Sequence, residues 1–236
     1  MQKENASAIG IGWGKVNILV TGKTGVGKST LINSIFSDVL SLPPQAETGV
    51  GKSITQHIRK HTDPSGQIPI CFFDTPGLEL EKYQERMAEV KSFVKSRTES
   101  VDSEQHIHCA WLCISEDSSR IEEAEQHLCK FLAKTMPVIV VITKSRTNNA
   151  DLEACVRKLL PAAIDFTRIR SIDETFHTPN GNFTLPSVGL NVLVELTGKH
   201  IPEGKAKARD LALVNTSRSN WPGIFAFIWR WFLARA

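Results

Sequence analysis

Gly22-Lys23-Thr24-Gly25-Val26-Gly27-Lys28-Ser29-Thr30 fits G-x-x-x-x-G-K-[ST], the signature of a loop that wraps a phosphate group. The flanking residues agree with it. Val16-Asn17-Ile18-Leu19-Val20 is apolar and β-branched before it, as a buried strand is, and Ser29 to Phe36 carries apolar residues at helical spacing after it. Gly25 and Gly27 free the backbone N–H groups to turn inward, and the helix presents its positive end to the same anion. Lys28 is expected to reach the outer phosphates as a point charge, and the Ser29 hydroxyl to ligate Mg²⁺. Residues Lys23 to Thr30 together predict a site for a nucleoside phosphate.

A second signal lies downstream. Ile68-Pro69-Ile70-Cys71-Phe72-Phe73 reads as a buried strand running straight into Asp74-Thr75-Pro76-Gly77. A carboxylate there can hold the water shell of a metal ion, and the Gly77 N–H can approach a terminal phosphate without a side-chain clash. Asp-Thr-Pro-Gly alone is also a good turn. Behind a buried strand and after the phosphate loop, it points to nucleotide hydrolysis rather than to small-molecule phosphorylation.

From residue 15 onward strands and helices alternate, the pattern of a mostly parallel sheet covered on both faces. Helices are expected near 29–42, 81–94, 121–133, 151–163 and 190–197, and strands near 16–20, 54–61, 68–73, 107–114, 138–142 and 167–172. Pro179-Asn180-Gly181 reads as a turn that introduces the closing helix. The expected organisation is a leader over 1–14, one α/β domain over 15–200, and a short helical, aromatic tail over 201–236.

A chain of 236 residues with 41% hydrophobic content can bury a real core, and a net charge of +3 is too small to argue for nucleic acid. The five cysteines, with Cys71, Cys109 and Cys113 in apolar runs, read as reduced thiols of a cytoplasmic protein. Residues 1–14 have no long apolar run, so they do not read as a signal peptide, and no stretch reaches the ~20 apolar residues of a spanning helix.

Gly22 to Phe36, with Asp74 to Leu78, resembles the Era- and septin-like branch of the translation-factor-related GTPases, and the loop is similar also to chloroplast-import and immune-associated GTPases. The resemblance covers about 15–200. It implies a Ras-like G domain that binds GTP and GDP with Mg²⁺ and hydrolyses GTP slowly, as a switch or an assembly protein. It also implies a first-switch threonine on the metal. Thr55, at the start of the second strand, is the preferred residue, and Thr48 stays open beside it. Ser29, Thr55 and Asp74 are then the metal set, with Lys28 and Gly77 at the phosphate. Leu78 stands where Ras-like enzymes place a water-orienting glutamine, so intrinsic turnover is expected to be slow, and a dimer partner across the nucleotide face or an effector is expected to raise it.

At the base the fit loosens. The family reads guanine with [NT]-Lys-x-Asp, and this chain has Thr143-Lys144-Ser145-Arg146. Thr143 and Lys144 match, but Arg146 cannot accept a hydrogen bond. Guanine preference is therefore implied and weakened at once. The last base-contact motif would fall near Ile172-Asp173-Glu174, or near Ser187-Val188-Gly189. Two rival readings follow: an interaction module that nucleotide only supports, and an NTPase without guanine specificity. His106-Ile107-His108-Cys109 offers metal ligands superficially, but neighbours in a strand face opposite ways, so it reads as part of the sheet. The tail carries Trp221, Trp229 and Trp231 with Arg230 and Arg235, which suits a peripheral membrane contact, or a helix docked on the domain or in a dimer interface.

Overall fold

In the computed structural model the described residues are 14–47, 57–78, 82–118, 120–147, 150–179 and 181–233, with side chains described as far as 216. In chain order the elements are β1 (Val16–Gly22), α1 (Lys28–Ser34), β2 (Arg59–Thr62), β3 (Ile70–Asp74), α2 (Tyr83–Thr98), β4 (Cys109–Ser115), α3 (Glu123–Leu132), β5 (Val138–Thr143), α4 (Ala150–Leu159), β6 (Asp165–Arg168), β7 (Glu174–Thr178), β8 (Gly181–Leu185) and α5 (Leu190–Leu233). Strands β1 to β6 form one sheet in the order β2-β3-β1-β4-β5-β6, in which β2 alone runs antiparallel. This is the expected α/β architecture with a mostly parallel sheet.

Period-two alternation in the strands assigns the two faces. Ile18, Val20, Cys109, Trp111, Cys113, Ile139 and Val141 point to one face, where Leu31, Ile32 and Phe36 meet Leu193, Val194 and Ile201 of α5. Leu19, Cys71, Phe73, Leu112, Ile114, Val140 and Ile142 point to the other, under α2, α3 and α4. Both sides being covered explains why these strands read as continuous apolar runs. On the first face Trp111 is fully buried, lies 5.3 Å from the Phe72 ring, and donates its indole N–H to Thr197 Oγ1 at 3.0 Å.

After α1 the chain widens into a π-helical turn, Ile35–Val39, closed by Ser41 in the left-handed region, and the helical segment ends before Pro43-Pro44 as expected. Two expectations on the elements change. The turn at Pro179 joins β7 to β8 instead of introducing a helix, and makes a hairpin the apolar-run reading missed, because its burial pattern is almost wholly exposed. The closing helix does not stop near residue 197. It runs on to Leu233, through the expected domain boundary after residue 200. Ile201, Ala208 and Ala212 are buried, Lys205 pairs with Glu104 at 3.0 Å, and Asn215 donates to the Thr98 carbonyl at 2.6 Å. Gly204 is needed where it stands, because a Cβ there would collide with the His108 carbonyl. The expected leader falls on residues 1–13, outside the described residues, save for Gly14. Among the described residues no helix is long and apolar enough to cross a membrane.

His108 sits at the entry to β4 with its Nδ1 accepting the Asn17 N–H at 3.0 Å and its Nε2 facing the Ser103 carbonyl at 3.2 Å. Burial and the nearby Lys205 ammonium push its pKa down to about 4. The fold therefore holds the neutral ring, while the unfolded chain takes a proton near pH 6.5. Stability is complete above about pH 6.5 and falls as pH drops toward 4, by about 3 kcal/mol for a shift of this size. Urea titrations at pH 7 and pH 4.5 should show the loss, and His108→Gln should flatten it.

Candidate functional site

The site is built at the carboxyl ends of the parallel strands, beside the point where β1 is flanked by β3 and β4, the usual position of ligands in open α/β sheets. The loop after β1 supplies the cradle. Gly25 and Gly27 take φ of 74° and 95°, in the left-handed region, so their freedom is used as expected. Lys28 opens α1 as a buried residue, and its ammonium folds back over the loop to donate to the carbonyls of Gly22 at 3.1 Å and Lys23 at 3.0 Å. Ser29 follows, and its hydroxyl donates to Asp74 Oδ2 at 2.8 Å.

Asp74 is buried at the end of β3, paired in register with Val20 of β1. The chain then crosses the phosphate loop. Thr75 N–H donates to the Val20 carbonyl at 3.1 Å and Leu78 N–H to the Gly22 carbonyl at 3.3 Å. Gly77 lies so close to Thr24 that a Cβ would overlap its backbone and hydroxyl. Leu78 is buried in the core under α2 and α3, and its side chain has no polar atom with which to orient water. Lys28, Ser29, Asp74 and Gly77 are thus brought together, with Lys23 to Thr30 around them. A serine hydroxyl beside a carboxylate is the hard oxygen pair that suits Mg²⁺. Thr55 and Thr48 lie outside the described residues.

Lys23 points to the other side of the loop. Its ammonium is 2.7 Å from Glu122 and 3.7 Å from Glu125, at the first turn of α3. A cleft of about 600 Å³ opens there, walled by Lys23, Leu78, Tyr83, Glu122 and Glu125. The Lys23 hydrogen bond lowers the pKa of Glu122, whereas burial raises that of Glu125.

The loop after β5 is tied to the loop after β1 by one hydroxyl. Thr143 Oγ1 lies 2.6 Å from the Val26 carbonyl and 3.2 Å from that of Ile114, and so joins β5, β4 and the cradle. Lys144 follows with φ of 53°, a strained conformation for a side-chain-bearing residue, and its ammonium stands 3.8 Å from Asp117. Arg146 occupies the place of the expected aspartate. Its guanidinium meets both oxygens of Glu174, at 2.8 and 2.6 Å, and Asp117 Oδ1 at 3.0 Å, and it lies over the Phe176 ring.

Glu116 is the residue that the sequence reading missed most completely. Burial alone would raise its pKa, but the N–H groups of Arg146 and Thr147 and the Arg168 guanidinium, 2.8 Å away, bring it below the ordinary value. Its signal was available: Glu116-Asp117 follows an apolar strand just as Asp74 does. His106 and His108 take no part in the site, since their rings are engaged by the Ser100 carbonyl and by Asn17 and Ser103.

The comparisons with known proteins agree with this geometry. Residues 17–144 match the model of the 50S ribosome-binding GTPase family. A GTPase Era of Ectopseudomonas mendocina is 29% identical over 174 residues, covering 63% of this chain and 56% of that protein. The chain spans about half the length of the curated relatives it matches. Among solved structures, the septin GTPase domain of Chlamydomonas reinhardtii aligns with a TM-score of 0.58 at 16% identity, covering 86% of this chain and 98% of that one. Chloroplast translocon components for whose GTPase activity dimerization is important align with a TM-score of 0.57 at 17% identity, covering 79% of this chain and 83% of that one. At these identities the two structures speak for the fold.

Thr143→Val keeps the shape but leaves the Val26 carbonyl without its donor. It should lower unfolding stability by about 1–3 kcal/mol in chemical denaturation, the cost of an unmet buried hydrogen bond.

Proposed function

The chain belongs to the 50S ribosome-binding GTPase family, and from that premise we propose that it binds GTP and GDP and hydrolyses GTP slowly, as a switch or an assembly GTPase. The observation that carries this reading is the part-buried contact between Ser29 and the buried Asp74 at the mouth of a loop already closed over Lys28.

Lys28 would leave the Gly22 and Lys23 carbonyls to neutralise the outer phosphates. Ser29 and Asp74, with Thr55 as the proposed first-switch ligand, would hold Mg²⁺, which supplies charge neutralisation on the phosphates. The Gly77 N–H and the amides from Lys23 to Thr30 orient the phosphate chain, and Thr143 and Lys144 frame the base. Leu78 supplies no group to position water, so the rate rests on electrostatic preorganisation by these donors.

As partners we propose guanine nucleotide, a second copy meeting it across the nucleotide face, and a membrane surface under the aromatic end of α5. Dimerization in the translocon relatives supports the second copy. A second reading, an interaction module supported by bound nucleotide, is favoured by the apolar Leu78 and by Arg146 in the base loop.

Titration of fluorescent GDP, GTP and ATP with and without Mg²⁺, followed by single-turnover phosphate release, decides between the two readings. GTP binding that tightens with Mg²⁺ and is followed by slow phosphate release is expected. Lys28→Ala should weaken binding roughly 30–100-fold, as the loss of charged hydrogen bonds does. Tight binding with no phosphate release would leave the interaction module.

A further inference from the structure

We propose that Glu174, at the start of the β7–β8 hairpin, supplies the carboxylate that reads the guanine edge, held in position by Arg146. The inference rests on the proposed nucleotide site and specifies how that site chooses its base.

Guanine carries an exocyclic N2 amino group, a donor that hypoxanthine and adenine lack at that position, and a carboxylate accepts from it with a charge-assisted bond. The loop after β5 cannot offer one, since Arg146 has donors only. The loop after β6 lies against it and can. Ser145 N–H donates to the Ile169 carbonyl at 3.0 Å, and Arg170 Nη1 donates to the Ser145 carbonyl at 2.7 Å, so the two loops form one wall beside the cradle. Glu174 rises from the end of that wall.

The contact between Arg146 and Glu174 is bidentate, from Nε and Nη2 to the two oxygens, and a bidentate pair fixes the plane of the carboxylate as well as its position. Two parallel N–H bonds take the inner lone pair of each oxygen and leave an outer lone pair on each; these diverge, so the held carboxylate, 29% exposed, accepts the N2 amino group through one of them. The hydrogen bonds from Arg146 lower the pKa of Glu174, so the group is an anion at neutral pH. Its strand is stiffened by the stacked rings of Phe176 and Phe183, 4.9 Å apart.

Neighbouring acids fit less well. Glu116 is buried and already accepts from Arg146, Thr147 and Arg168. Asp117 has Oδ1 on Arg146 and Oδ2 between the Ser115 hydroxyl and the Lys144 ammonium, so no bidentate partner fixes its plane. Asp173 accepts the Ser187 N–H at 2.7 Å.

The test compares GDP, inosine diphosphate, which lacks the N2 amino group, and ADP by equilibrium titration on the whole chain. Wild type should hold GDP about tenfold or more above the other two, the worth of a charge-assisted hydrogen bond. Glu174→Gln should bring the ratio of GDP to inosine diphosphate near one, while the affinity for inosine diphosphate itself stays within about threefold, reporting an intact fold and phosphate site. Asp117→Asn should leave the ratio unchanged. A ratio unmoved by Glu174→Gln, or one that collapses instead with Asp117→Asn, overturns the assignment while nucleotide binding stands. Equal binding of all three by wild type also overturns it without touching the phosphate site. No binding of any nucleotide overturns both readings.

Discussion

The pairing of β1 with parallel strands on both sides fixes where every charged group of the site can stand. Val20 is level with Asp74 across one ladder, Gly22 with Cys113 across the other, and Ser115 with Thr143 one strand further on. Four strand ends therefore stop along one edge, and each releases a polar residue there. A slip of one residue in β1 would turn its apolar residues to the wrong face, so burial on both sides holds the register. The distance of 2.8 Å between Ser29 and Asp74, forty-five positions apart, is a consequence of that register rather than of any local preference.

Burying such groups is costly, and the fold meets the cost with hydrogen bonds of its own. Lys28 is nearly enclosed, and its ammonium donates to two carbonyls of its own loop. A nucleotide bound as proposed would exchange one set of partners for another, so the ammonium would never be stranded in a dry site. On the other side of the loop, the Lys23 ammonium is paired with Glu122 and Glu125, so the two lysines of one motif have different partners.

The phosphate end was legible because its requirements are backbone requirements. Glycine at two left-handed positions, a lysine and a hydroxyl at the helix start, and an acid after a buried strand leave marks at fixed spacing. The base end was legible only in part. Thr143 could be named, but its bond to Val26 could not, because nothing local in either segment records the other. Arg146 read as a defect in a known pattern, since its partner lies 28 residues on, in a hairpin whose exposed strands carry no apolar run. The length of α5 escaped for a related reason. Pro202 and two glycines, Gly198 and Gly204, argue against a helix by propensity, and tertiary contacts at Ile201, Ala208 and Ala212 outweigh them.

These two ends differ in what holds them, and so in how they can change. The cradle is made by main chain, and a substitution at Gly77 or Lys28 disturbs the loop itself. The base wall is made by side chains on loops and a hairpin, through ion pairs that water reaches: the Arg146 side chain is 39% exposed and Asp117 48%. Such pairs weaken with salt and tolerate exchange of one residue for another of complementary charge. An aspartate can then be lost from the loop after β5 without loss of the site, provided that a carboxylate arrives from the next loop and an arginine fills the vacated place to hold it. On the proposed reading, phosphate affinity and base choice would be separable properties of one domain, the first set by the strand register and the second by a salt bridge on its rim.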